Sequence, residues 1–127
     1  MNILMLDDDR DLLDALRELL ARHDHKVDCC DNAKQAVSLA EQGSYDFIFV
    51  DYKMPDNDGL WFMQNVRLPR KTKTLLMTAY VNRNIINQMF AAGACGYIIK
   101  PFDESDLLRH LAFFSKPAVA RVTPAPE

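Results

Sequence analysis

An α/β fold with a five-stranded parallel sheet, doubly wound by helices in a (βα)5 arrangement, follows from three observations on this 127-residue chain. Short β-rich runs recur five times, each followed by a segment with apolar residues at helical spacing, which argues for parallel strands joined by right-handed crossovers. The run at residues 47–50, Phe-Ile-Phe-Val, is continuously apolar, as a strand buried on both faces requires. Two runs stop on carboxylates and another on a lysine. Charge therefore collects at one edge of the sheet, where open α/β sheets bind ligands.

The first run, residues 3–6, ends in Asp7, Asp8 and Asp9. Leu12, Leu13, Leu16, Leu19 and Leu20 then recur at helical spacing, with Asp9 or Asp11 placed near the helix start. His23, Asp24 and His25 close that helix, and residues 26–30 read as a second strand. His23 and His25 with Cys29 and Cys30 are zinc-type ligands, but their spacing fits no usual structural-zinc pattern, and a solvated loop is the better reading. Asp31 or Asn32 caps a second helix through Glu41, with Ala33, Ala36, Val37 and Ala40 as its buried stripe and Gly43 as its stop.

The third strand runs into Asp51, and Met54-Pro55 with Asp56, Asn57, Asp58 and Gly59 forms the loop after it. A third helix carries Leu60, Phe62, Met63 and Val66 up to the Leu68-Pro69 break, and Trp61 fits either core or surface. Arg70, Lys71 and Lys73 precede a strand, residues 74–77, that runs into Thr78-Ala79. A helix-to-strand loop falls at the edge opposite the acidic residues, so this basic patch reads as solvated surface. A fourth helix from about Asn84 to Ala92 bears Ile85, Ile86, Met89 and Phe90 and ends at Ala92-Gly93. The fifth strand, residues 96–99, leads into Lys100-Pro101-Phe102, and the last helix starts near Asp103 or Glu104 with Leu107, Leu108, Leu111, Phe113 and Phe114. Residues 1–115 form one domain; residues 116–127, with three prolines and no periodicity, read as a tail or the start of an interdomain linker.

The composition, 49% hydrophobic and 26% charged, is that of an ordinary globular domain, and a net charge of -3 gives no reason to expect nucleic-acid binding. No apolar stretch has transmembrane length and no basic segment precedes the first apolar run, so neither a membrane span nor a signal peptide is expected, and the chain is expected to be cytoplasmic. Of the three cysteines two are adjacent, Cys29 and Cys30, a poor disulfide framework; each is expected as a buried or half-buried thiol.

Strand ends bearing Asp7, Asp8, Asp9 and Asp51 gather carboxylates that repel one another unless a cation is present, and hard oxygen ligands without nearby His or Cys favour Mg2+. Lys100 and Thr78 at neighbouring strand ends add an ammonium and a hydroxyl. That set suits a phosphoryl group, whose oxygens the cations neutralise and the hydroxyl hydrogen-bonds.

These motifs, in this order and spacing, resemble the receiver domain of bacterial two-component response regulators over residues 1–115: the acidic run 7–9, Asp51 with Met54-Pro55 and Gly59, Thr78-Ala79, and Tyr97 three residues before Lys100-Pro101-Phe102. The resemblance implies a flavodoxin-like receiver fold in which Asp51 accepts a phosphoryl group from the phosphohistidine of a sensor histidine kinase or phosphotransfer protein. It implies that Asp8 and Asp51 bind Mg2+, with help from Asp7 and the main-chain carbonyl of Lys53. Lys100 would pair with the phosphoryl oxygens through a loop whose Lys100-Pro101 bond is cis. Thr78 would move toward the phosphoryl group and Tyr97 would turn inward behind it. The domain would promote its own phosphorylation and dephosphorylation and turn over no external substrate. Transcriptional control is the output this resemblance suggests.

The fourth helix, fifth strand and last helix carry more apolar residues than one buried stripe needs, so this face either binds a partner or a second copy when Asp51 is phosphorylated or is simply core. Tyr80, two residues after Thr78, is expected to restrict water and slow loss of the phosphoryl group. Two other readings remain: a receiver-like interaction module that is never phosphorylated, and a haloacid-dehalogenase-like phosphatase with Asp7 as nucleophile, which would need a further acidic pair where this chain has Lys100.

Overall fold

The computed structural model describes residues 1–54, 57–79 and 82–115; Pro55, Asp56, Tyr80, Val81 and the segment 116–127 lie outside the described residues, and with them the Tyr80 expectation and the tail. Among the described residues strands and helices alternate strictly: β1 (Asn2–Leu6), α1 (Arg10–Ala21), β2 (Lys26–Cys30), α2 (Ala33–Gln42), β3 (Phe47–Asp51), α3 (Gly59–Asn65), β4 (Lys73–Thr78), α4 (Arg83–Ala91), β5 (Gly96–Ile99) and α5 (Glu104–Phe114). All strand pairs are parallel, in the order β2-β1-β3-β4-β5. The chain steps outward from β1 to β2 and then returns past β1 to β3. The direction of winding reverses there, leaving a crevice between the ends of β1 and β3.

Residue parity sorts the core into two layers. Ile3, Met5, Phe47, Phe49, Leu75 and Met77 face α1 and α5 through Leu13, Leu16, Leu20, Leu107 and Leu111. Leu4, Leu6, Ile48, Val50 and Leu76 face the other side, where Ala33, Ala36 and Ala40 of α2, Phe62 and Met63 of α3 and Met89 of α4 cover them. Small alanines form the buried stripe of α2 and larger leucines that of α1.

Helix starts follow the expected chemistry. Asp9, Asn32, Asp58, Asn82 and Asp103 each cap a helix by accepting backbone N–H groups, and Asp103 forms a reciprocal capping box with Asp106. Gly93, with φ of 117°, takes the left-handed turn after α4. The third helix departs from the sequence reading: it stops at Asn65, where Val66 turns extended, instead of continuing to the Leu68-Pro69 break. Cys29 and Cys30 are half-buried and buried as expected, but Cys95, just before β5, is exposed. At the first residue of β5, a Cβ on Gly96 would sit 2.9 Å from Cε2 of Phe114, so the bare backbone of β5 receives the ring of α5.

Candidate functional site

β1 and β3 carry the site at their ends, and both are deeply buried strands. Residues 3–6 and 47–50 are nearly inaccessible, so their backbones are held by sheet hydrogen bonds and by packing on both faces. The residues that follow them, Asp7 and Asp51, emerge side by side at the crevice. One carboxylate oxygen from each of Asp7, Asp8 and Asp51 lies within 4.8 Å of the others. Asp7 is fully buried and Asp51 only 6% exposed, whereas Asp8 faces solvent.

A buried charge needs a partner, and Asp7 has two: its Oδ1 accepts the Asp9 N–H at 2.9 Å, and its Oδ2 accepts from Lys100 Nζ at 2.5 Å. Nζ also lies 3.5 Å from Asp51 Oδ1. Burial first, and then the charge of Asp7, push the Asp51 carboxyl up to about 7 against the pull of Lys100. For Lys100, burial alone works downward, but hydrogen bonding to Asp7 and the charge of Asp51 reverse it and hold the ammonium above its ordinary range. The lysine therefore stays charged.

The loop bearing Lys100 is tied to the neighbouring strand: the Lys100 N–H donates to the Thr78 carbonyl at 2.8 Å, and the Lys100-Pro101 bond is cis, as the sequence resemblance implied. Behind Asp51, α3 begins at Gly59, whose N–H donates to the Tyr52 carbonyl at 2.8 Å. A Cβ on Gly59 would overlap the Asp51 carbonyl oxygen and sit 2.9 Å from Val50 Cγ1, so only glycine lets α3 start this close to the end of β3. Asp58 fixes that start by accepting the Trp61 N–H at 2.9 Å. Gly59 was recognised in the sequence as part of a loop motif; its tight approach to Asp51 depends on tertiary packing and left no separate trace there.

An open cleft of about 560 Å3 lies over these groups, lined by Asp7, Asp8, Asp9, Asp51, Lys53, Met54, Ala79 and Lys100. The structure thus brings together Asp7, Asp8, Asp51, Lys53 and Lys100. Thr78 ends β4 almost fully buried beside the cleft, next to Ala79. Tyr97 is not among the described residues lining the cleft. It is 37% exposed, and its ring lies 6.2 Å from that of Phe90 on α4, so in this conformation it is not turned inward. Among the described residues the three-carboxylate group is the one set of metal-type ligands close enough to share an ion; His23 lies instead 2.9 Å from Glu104. Three carboxylates converging on an open cleft fit a hard divalent cation.

The basic residues before β4 lie at the opposite edge, where Lys71 reaches Ser44 and the Lys73 N–H donates to the Asp46 carbonyl. On the α4, β5 and α5 side, Met89 is buried, Ile85, Ile86 and Phe114 are half-buried, and Phe90, Tyr97, Ile99 and Phe113 are exposed. That face is part core and part bare apolar surface. Among the described residues no helix is long and apolar enough to cross a membrane.

Comparison with known proteins agrees with this geometry. The family model for the response regulator receiver domain matches residues 3–112. The transcriptional regulatory protein ResD of Bacillus subtilis is 30% identical over 106 residues, which are 84% of this chain and 44% of ResD. An uncharacterized 14.6 kDa protein of Leptolyngbya boryana is 35% identical over 112 residues, 86% of each chain. The chain thus spans less than half of ResD but most of the Leptolyngbya protein. Among solved structures, the response regulator TrrA of Thermotoga maritima, in complex with Mg2+-BeF, superposes with a TM-score of 0.77 at 27% identity, covering 88% of this chain and 96% of TrrA.

Proposed function

The chain belongs to the response regulator receiver domain family, and from that premise we propose that Asp51 accepts a phosphoryl group from the phosphohistidine of a sensor kinase or phosphotransfer protein. The observation that carries the reading is the placement of Asp51 at the end of a fully buried strand, within 4.8 Å of Asp7 and Asp8 oxygens and 3.5 Å from Lys100 Nζ.

An Asp51 oxygen attacks phosphorus; the P–O bond forms as the P–N bond breaks, and the imidazole nitrogen leaves with the electron pair and takes a proton. The product is an acyl phosphate on Asp51. Lys100, already charged and suspended between Asp7 and Asp51, shifts onto the incoming phosphoryl oxygens, which carry the charge it was neutralising on the carboxylates. Thr78, buried at the neighbouring strand end, supplies a hydroxyl to the same group once the 78–79 segment moves toward it. Asp7, Asp8 and Asp51 with the Lys53 carbonyl would hold Mg2+, which when bound neutralises the transferred oxygens and the crowded carboxylates. Asp7 is poorly suited to act as the nucleophile of a phosphatase, since both its oxygens are already occupied in a fully buried position.

The output side of the proposal is a change on the α4, β5 and α5 face. Exposed Phe90, Tyr97, Ile99 and Phe113 there contact a partner, a second copy or an output domain, with transcription the process most in keeping with relatives such as ResD. The test is intact mass after incubation with Mg2+ and acetyl phosphate. Wild type is expected to gain one phosphoryl group, about 80 Da, and Asp51→Asn none. A wild type that gains nothing from acetyl phosphate or from a phosphorylated kinase would leave an interaction module that is never phosphorylated.

A further inference from the structure

We infer that Phe90 is a positioning residue that holds Tyr97 in its exposed conformation and so sets how readily the domain adopts its phosphorylated form. The inference rests on the reading of Asp51 as phosphoacceptor and of Tyr97 as a side chain that turns when that site is filled.

Two observations carry it. The first is how lightly α4 is anchored: of its nine residues, Met89 alone is buried, whereas α1 buries Leu13, Leu16 and Leu20. A helix with so few buried apolar contacts shifts or opens at low cost. The second is what touches Tyr97. Phe90, next to that single anchor, is 41% exposed, and its ring meets Tyr97 at 6.2 Å with the planes 51° apart, within the range of favourable aromatic pairs. The two rings shield each other where α4 leaves the outer side of β5 half-covered. Turning inward would take the Tyr97 ring away from Phe90. The whole worth of the contact therefore counts toward the exposed conformation.

Replacing the ring shifts the balance without touching Asp51, Lys100 or Thr78. Fluorotyrosine-labelled protein gives a 19F resonance for Tyr97, assigned by its loss in Tyr97→Phe, which is followed while beryllofluoride is added in the presence of Mg2+. Phe90→Ala is expected to reach half-conversion of that resonance at about fivefold lower beryllofluoride than wild type, a factor within the usual worth of an aromatic pair. Phe90→Tyr, which keeps a ring at the position, is expected to restore the wild-type midpoint. Because Phe90 is largely outside the core, the alanine variant is expected to keep its circular dichroism spectrum. An unchanged midpoint in Phe90→Ala, or a lowered midpoint that Phe90→Tyr fails to restore, overturns the inference while leaving the phosphoacceptor in place. A wild type that binds no beryllofluoride by calorimetry overturns the reading of the site, and this inference with it.

Discussion

β3 and β5 lie two places apart in one sheet and live in opposite surroundings. All five residues of β3 are buried, with Phe47 and Phe49 stacked on one side and Ile48 and Val50 packed on the other; β5, at the sheet edge, buries Gly96 and Ile98 and exposes Tyr97 and Ile99. The proposed acceptor carboxylate is mounted on a strand buried along its whole length, and the residues proposed to report its state are on an edge strand that leaves every second residue exposed. Chemistry at Asp51 needs its neighbours fixed to within fractions of an ångström, whereas a response needs an element that a modest change in contacts can displace.

Substitutions should separate the two strands clearly. Phe49→Ala removes a fully buried ring and is expected to cost about 4 kcal/mol, read as a lower urea midpoint with a constant slope; a loss under about 1 kcal/mol would mean that β3 is not the rigid member of the pair. Gly59→Ala forces a methyl group against the Asp51 carbonyl and Val50. The Asp51 carbonyl is strand backbone and the Val50 side chain is fully buried, so a loss of about 2–3 kcal/mol is expected from overpacking, together with slower uptake of phosphoryl from acetyl phosphate.

The third contrast is electrostatic. Asp51 is raised from about 3.8 to about 7 in the fold. Between those values the unfolded chain has lost this proton while the folded chain keeps it, so stability falls as pH rises across that window and levels off above it. Asp51→Asn removes the penalty: without Mg2+ it is expected to stabilise the protein at pH 8 and to do so only slightly near pH 4, measured by urea unfolding at both. Equal effects at the two pH values would contradict the raised carboxyl. The smallest effect belongs to the edge strand, where Ile99→Ala, at an exposed position, is expected to change stability by less than about 0.5 kcal/mol.

The same contrast separates what the sequence disclosed from what it hid. Asp7, Asp8, Asp51 and Lys100 were legible because each follows a β-rich run, and parallel strands place such residues at one edge whatever the order of the strands. The helices were legible because their apolar spacing and their Asp and Asn caps are local. The order β2-β1-β3-β4-β5, the early end of α3 and the exposure of Cys95 depend on which elements lie side by side, a property of pairs far apart in the chain. The meeting of Phe90 with Tyr97 is of that kind: both rings were noticed separately, and α4 could have buried either one.

The pairing of Gly96 with Phe114 has a bearing on how α5 ends. Because the ring at the last turn of α5 is seated over bare backbone at the first residue of β5, helix and strand are keyed together there. The seating of the last turn of α5 thus depends on an edge strand through a missing methyl group. A side chain gained at Gly96 would push the end of α5 off its strand while leaving the carboxylates of the cleft as they are.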